Sequence, residues 1–345
     1  MRILAFGLFV VSVCSGVPFG LSVKVNQAQC WSYKCGAIKS TCVFPSGSTQ
    51  TYTVSPCEEL SRPFCYPLSL TQNTTCSETL QTGIELDGFP GEVCGSDSDC
   101  VHGRCLSRYC YGKVLYESCK SHLECNPGLR CSNNICTTLL RPGKPCTTDF
   151  DCVSTAGCNN RVCTEYYSLQ VNSLVSDCAS GEQSSMFCET GSCAYSKSFR
   201  SNICIQSFVS EKFPSICQTS NDCVGVSSSG FTTNTNCECG MNWNGTKYCA
   251  ANHGDEVAVK FRTNFKNFMN NGLFARCNTQ RRFDKDCLDI SYNTYAYENL
   301  MKTFYLYKNS PQLSNISNCV KKAFFPLLST GFQLLASSLI LLTIL

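Results

Sequence analysis

The chain has 345 residues, 31 of them cysteine, and carries 28 Lys and Arg against 25 Asp and Glu, a formal net charge of +3. So even a balance offers no basic face of the kind nucleic-acid binding requires; the one pair that stands out, Arg281-Arg282, reads as a solvated helix edge. Cysteines in this number also argue against a reducing compartment and point to the secretory lumen or the cell exterior, where disulfides persist.

The first predicted element is a signal peptide over residues 1–16. Met1-Arg2 supplies the positive start, Ile3 to Val13 the apolar run, and Cys14, Ser15 and Gly16 the small residues of a cleavage site, with Gly20 as a second choice. Either cut removes Cys14 and leaves an even number of cysteines, as full pairing requires.

Residues 30–76 form a six-cysteine N-terminal module with Cys30, Cys35, Cys42, Cys57, Cys65 and Cys76. The Ser/Thr-rich segment from Ser46 to Ser55 alternates Thr-x-Thr-x and predicts a strand. Six is an even number, so this group can close on itself.

Over 94–163 the cysteine spacing repeats. Cys94, Cys100, Cys105 and Cys110 form one unit, Cys119, Cys125, Cys131 and Cys136 a second, and Cys146, Cys152, Cys158 and Cys163 a third. A fixed period means one small unit copied in series. An acidic residue precedes the second cysteine each time (Asp99, Glu124, Asp151), and Gly103, Gly128 and Gly157 lie just before the third. Asn133-Asn134 and Asn159-Asn160 follow the third cysteine; Gly and Asn tolerate positive φ, which predicts short hairpins between disulfides. A unit of roughly 25 residues buries too little apolar surface to fold unaided, so cross-links must replace a core. Four cysteines per unit allow three pairings. Residues 178–249 read as degenerate copies, with Cys178, Cys188, Cys193 and Cys204 at looser spacing and Cys217 to Cys223 repeating the opening of the unit.

Residues 250–318 predict a helical, membrane-proximal segment. Val257, Phe261, Phe265 and Phe268 recur at helical spacing, as do Leu288, Tyr295, Leu300 and Tyr305, with Cys277 and Cys287 as a local staple. From Ala323 to Leu345 the chain is uncharged and apolar, long enough for a transmembrane helix and suited also to a glycolipid-anchor signal. Candidate attachment residues are Asn315, Ser317 and Ser329; the first two would discard Cys319 and leave an odd cysteine. Asn73, Asn244 and Asn315 head glycosylation sequons.

Other uses of these residue types fit less well. Structural zinc favours C-x2-C knuckles or paired histidines, and the chain has only Cys237-Glu238-Cys239 and the separated His102, His122 and His253, which read as surface residues. Asp97 with Asp99 and Asp149 with Asp151 are too few oxygens for calcium and read as Asx turns capping the loop before a cysteine. No signature of nucleophilic or metallopeptidase catalysis is present, so neither an enzyme nor a cofactor is expected.

Through CGSDSDCVHGRC, CKSHLECNPGLRC and CTTDFDCVSTAGC, Cys94 to Cys163 resembles the N-terminal cysteine-rich domain of Dickkopf proteins and related EB-type modules. The tandem arrangement, the lack of a colipase-like second domain and the apolar tail depart from that family, so Wnt antagonism does not follow. The layout is more similar to the glycolipid-anchored cysteine-repeat surface proteins of protists such as ciliates. The expected fold is small disulfide-rich modules in tandem, built of short β-hairpins and loops, with an α-helical membrane-proximal segment. The expected role is a rod-like coat or adhesion protein whose partners are the membrane, through a lipid anchor or one C-terminal helix, and an extracellular protein or glycan. The alternative is a capture module, with Trp31, Tyr33 and Phe64 of the N-terminal head as an aromatic patch if exposed; Trp31 reads equally as the cover of a disulfide core. A protease inhibitor is a weaker third reading, since no reactive loop is marked.

Overall fold

The computed structural model describes residues 30–36, 41–57, 64–65, 73–77, 88–178, 185–270, 273–282, 287 and 295–324. The proposed signal peptide, Leu288, Ser329 and the tail from 325 onward lie outside them. Small disulfide-rich modules in tandem make up most of the fold.

At the N-terminal end β1 (Ser32–Cys35), β2 (Thr41–Ser46), β3 (Thr51–Val54), β4 (Phe64–Cys65) and β5 (Thr74–Ser77) form a mixed sheet in the order β1-β3-β2-β5-β4. β3 is the strand expected from the Thr alternation, and it pairs with β1 in parallel and β2 antiparallel. The sheet buries Tyr33, Val43, Tyr52 and Val54. Trp31 stacks on Tyr52 at 4.6 Å between ring centroids, so Trp31 and Tyr33 cover a core instead of forming an open patch.

Each repeat is a 3₁₀ turn followed by a hairpin: β6 (Arg104–Leu106) with β7 (Tyr109–Tyr111), β8 (Leu129–Ser132) with β9 (Ile135–Thr138), and β10 (Ala156–Asn159) with β11 (Val162–Glu165). The third and fourth cysteines sit directly opposite on the hairpin, yet each bonds back to the turn. Pairing is first to third and second to fourth throughout: Cys94–Cys105 and Cys100–Cys110, Cys119–Cys131 and Cys125–Cys136, Cys146–Cys158 and Cys152–Cys163. Two bridges stacked under one hairpin stand in for the missing apolar core.

The hairpin turns carry positive φ at Ser107-Arg108, Asn133-Asn134 and Asn160-Arg161. In the third unit the turn is therefore one residue later than the Asn159-Asn160 pair suggested, and Asn159 is a buried strand residue. Gly103 needs its glycine twice over, for φ +98° and because a Cβ would lie 1.8 Å from the Tyr111 carbonyl oxygen.

The looser cysteines follow the same scheme. Cys178–Cys193 and Cys188–Cys204 bracket β12 (Cys193–Ser196) and β13 (Ser201–Cys204). Cys217–Cys237 and Cys223–Cys249 tie in β14 (Val209–Ser210), β15 (Val224–Val226), β16 (Thr232–Asn234), β17 (Cys237–Cys239) and β18 (Lys247–Cys249).

Helices α1 (Glu256–Met269), α2 (Tyr295–Lys308), α3 (Ser310–Leu313) and α4 (Asn318–Phe324) are the last helices among the described residues. α1 and α2 pack through Phe261 with Phe304 and Tyr307, each at 5.6 Å, and Phe268 with Tyr297 at 5.8 Å. Their buried face also meets Tyr166, Tyr167, Val175 and Phe187, so the aromatic stripe packs on the third and fourth units. Cys277–Cys287 is the local staple.

Two cross-links change the expected layout. The N-terminal group does not close on itself: Cys42–Cys65 and Cys57–Cys76 are internal, but Cys30 bonds Cys239 and Cys35 bonds Cys319. α4 packs on the N-terminal sheet, where Val320 and Ala323 are buried against its core. Ala323, taken from sequence as the start of the apolar tail, thus belongs to the fold. An N-terminal head at the far end of a rod from the C-terminus is not what these bonds produce.

Candidate functional site

Arg281-Arg282 is the largest departure from the sequence reading. Arg282 is 2% exposed. Its guanidinium donates to the carbonyl oxygen of Ala156 at 3.1 Å and to the Tyr166 hydroxyl at 2.7 Å, with Val153 O at 3.4 Å. Arg281 donates to Glu92 Oε1 at 3.3 Å and lies 4.7 Å above the Phe89 ring. Between them Asn278 Nδ2 donates to the carbonyl oxygens of His122 and Cys125 at 2.8 and 2.9 Å. One short segment therefore contacts all three regular repeats, the first through Arg281, the second through Asn278 and the third through Arg282. Gly91 belongs to the same seam, since a Cβ there would lie 2.2 Å from the Arg276 carbonyl oxygen. The pair is a hub for the array. Sequence reasoning missed it because a charged doublet carries no mark of what will surround it.

The acidic residues before each second cysteine are caps, as the Asx-turn reading held. Asp99 Oδ2 accepts from Gly95 N and Ser96 N at 2.7 and 2.9 Å, and Asp222 Oδ2 from Gln218 N and Thr219 N at 2.8 and 2.9 Å. The preceding acid reaches the hairpin: Asp97 Oδ1 accepts from Cys105 N at 2.7 Å and Asp149 Oδ1 from Cys158 N at 2.6 Å. These carboxylates are engaged with backbone N–H groups of their own unit. The cysteine sulfurs that cluster in each unit, such as those of Cys94, Cys100 and Cys110, are disulfide-bonded and so are not thiolate ligands.

Asp151 does more than cap. It accepts from Thr147 N, Thr147 Oγ1 and Thr148 N, and Arg130 of the second unit donates to its Oδ1 at 2.9 Å, with His122 Nε2 at 3.5 Å. Burial raises the Asp151 pKa, but these hydrogen bonds outweigh it and hold the carboxyl far below its ordinary value. The His122 ring is depressed, chiefly by burial, against the opposing pull of Asp151. His122 is therefore not the surface residue its sequence suggested; His102 and His253 are also partly covered, the first beside Phe89 and the second beside Tyr307.

Both shifts make acid destabilising. Below the ordinary histidine value of 6.5 the unfolded chain takes up a proton that folded His122 resists, and below the ordinary aspartate value of 3.8 the same holds for Asp151. The thermal midpoint should fall in two steps as pH drops through these windows. His122→Gln should flatten the upper step, and Asp151→Asn should shrink the lower one, to which Asp99, Glu124 and Asp222 also contribute, and cost about 2 kcal/mol at neutral pH. A pH-independent midpoint between 7 and 3 would contradict the arrangement.

All three sequon asparagines are exposed: Asn73 precedes β5, and Asn244 sits in the loop between β17 and β18. Asn315 is exposed at φ +57° between α3 and α4, while Ser317 Oγ lies 3.2 Å from Cys35 Sγ. Both anchor candidates in this turn, Asn315 and Ser317, precede the bonded Cys319. The side chain of Phe64 lies outside the described residues.

One hairpin face is open. Arg104 stands opposite Tyr111 and Leu106 opposite Tyr109, all exposed and facing away from the Cys105 and Cys110 side. In the second unit the position of Arg104 is Arg130, which holds Asp151; in the third the position of Leu106 is Asn159, which accepts from Ser176 N at 2.9 Å. Each of those two faces holds the next unit through one polar residue and leaves Ile135 or Val162 exposed, whereas all four residues of the first face are open to solvent. Nearby in sequence Tyr116 is 78% exposed.

Comparison with known proteins returns no matching family model, no matching curated protein and no matching solved structure. Among the described residues no helix is long and apolar enough to cross a membrane. What the chain is, by its own structure, is a cysteine-rich, disulfide-stabilised protein of extracellular type.

Proposed function

We propose that this protein is a membrane-tethered component of the cell surface with a structural coat or adhesion role and no catalytic activity. The observation that carries the reading is the pairing of every cysteine from Cys30 to Cys319 in a disulfide, which an oxidising compartment alone sustains. The tether rests on the apolar sequence after Lys322. Attachment at Asn315 or Ser317 would remove Cys319 from Cys35 and Val320 from the N-terminal core, so the reading places any lipid after Ala323, with Ser329 as the remaining candidate.

The test is to express the full chain in a secretory host, treat intact cells with a phospholipase that cleaves glycolipid anchors, and weigh what is released. Release of a species that retains Cys319 is expected. Release of a species ending at Asn315 or Ser317 would refute the placement; continued retention would mean a transmembrane tail, and an intracellular, reduced chain would end the surface reading.

A capture module is the second reading, favoured by the open face of Arg104, Leu106, Tyr109 and Tyr111. Aromatic and Arg side chains are the residues that dominate protein recognition. This moves the capture site from the N-terminal head to the first repeat.

A further inference from the structure

Trp243 is the most exposed of the chain's two tryptophans, with 67% of its surface open, whereas Trp31 stacks on Tyr52. Its neighbour in sequence is the sequon asparagine Asn244. The loop holding both is built, not slack. Asn242, buried to 1% exposure, accepts from Thr246 N at 2.9 Å and donates to Thr246 O at 3.0 Å, closing the loop from within. Gly245, at φ +68°, lies against the Cys30 carbonyl oxygen, where a Cβ would come within 2.6 Å. These contacts turn Trp243 and Asn244 outward together.

The chemistry of the sequon is assembled at this asparagine. Thr246 Oγ1 donates to Asn244 Oδ1 at 2.7 Å, and Asn244 Nδ2 has no hydrogen-bond acceptor among the described residues. At Asn315 the corresponding hydroxyl, Ser317 Oγ, lies instead beside Cys35 and Cys319. We propose that Asn244 carries an N-linked glycan and that Trp243 is the platform on which its first sugar packs. In the transfer, Nδ2 forms a bond to C1 of a lipid-pyrophosphate-linked oligosaccharide; the C1–O bond to pyrophosphate breaks, the lipid pyrophosphate leaves, and the amide gives up one proton. The C–H face of the N-acetylhexosamine then covers one face of the indole, whose electron-rich π surface attracts it. The proposal rests on the extracellular reading, because the sugar donor and its transferase are found in the secretory lumen.

The experiment uses the full chain expressed in a eukaryotic secretory host and solubilised from the cell surface, with an amidase that removes N-glycans, converts the carrier Asn to Asp and so marks occupied sites by mass. Acrylamide quenching of tryptophan emission is read before and after removal, in the wild type and in Trp31→Phe, where Trp243 is the only emitter. Asn244 should be occupied, and quenching should be about twofold stronger after removal, because a stacked sugar hides one of the two indole faces. Asn244→Asp, never glycosylated, should match the treated protein. Occupancy at Asn73 or Asn315 with Asn244 bare would overturn the site while leaving the extracellular reading intact. Occupied Asn244 with unchanged quenching would overturn the role of Trp243. A chain with no glycan and free thiols would remove the proposal and the extracellular reading together.

Discussion

Arg282→Ala is expected to destabilise the junction of the repeats by about 3 kcal/mol, far more than an exposed arginine would cost. The guanidinium is buried and serves Ala156, Val153 and Tyr166 at once, so truncation leaves acceptors without a donor and a void in a closed seam. Relief of the arginine's own desolvation offsets part of that loss. Each unit keeps its two disulfides, so the units should stay folded while the segment from Cys277 to Arg282 loosens. Amide exchange should quicken at the segment and at the third unit before it does elsewhere. Arg282→Lys keeps the charge but loses the planar fork and should recover only part of the loss. Arg281→Ala, which removes a partly exposed pair with Glu92, should cost about 1 kcal/mol and serves as the contrast. Equal, small effects for both arginines would show that the hub does not hold the array.

Removing the Cys35–Cys319 bridge, as the double Cys35→Ser, Cys319→Ser variant, is expected to cost about 4.5 kcal/mol. The sequence separation of 284 overstates the loop it closes. Because Cys30–Cys239 already ties the two regions, the effective loop is roughly 85 residues, which sets the entropic figure. The loss should be local. α4 should leave the N-terminal sheet, exposing Val320 and Ala323 and the face of Tyr33, Val43 and Val54 they cover. Limited proteolysis should then cut between Leu313 and Phe324 while the central repeats remain intact. A variant as resistant as the wild type would mean that packing of α4 alone suffices.

The repeat unit was legible because its determinants are local. Cysteine spacing, the acidic residue before the second cysteine and the turn residues between strands lie within one unit, and each acts on neighbours a few positions away. Asp99 and Asp222 cap through groups three and four residues off. The paired helices were legible for the same reason, since the Phe261, Phe265, Phe268 stripe is a property of one segment. Asn159 was misread by one position because Asn favours a positive-φ turn and is disfavoured in strands, and only its hydrogen bonds to the distant Ser176 and Leu174 hold it in the strand.

What the sequence determined by itself is the kind of unit, its number of cross-links and the oxidising environment these demand. Tertiary structure alone decided how the units are joined: which even-numbered cysteine group stays open, where Arg282 goes, and that the last helix covers the first sheet. Those outcomes rest on contacts across more than a hundred residues. Parity permits any pairing and a charged doublet permits any partner, so the choice between them is made by packing, which spacing along the chain does not encode.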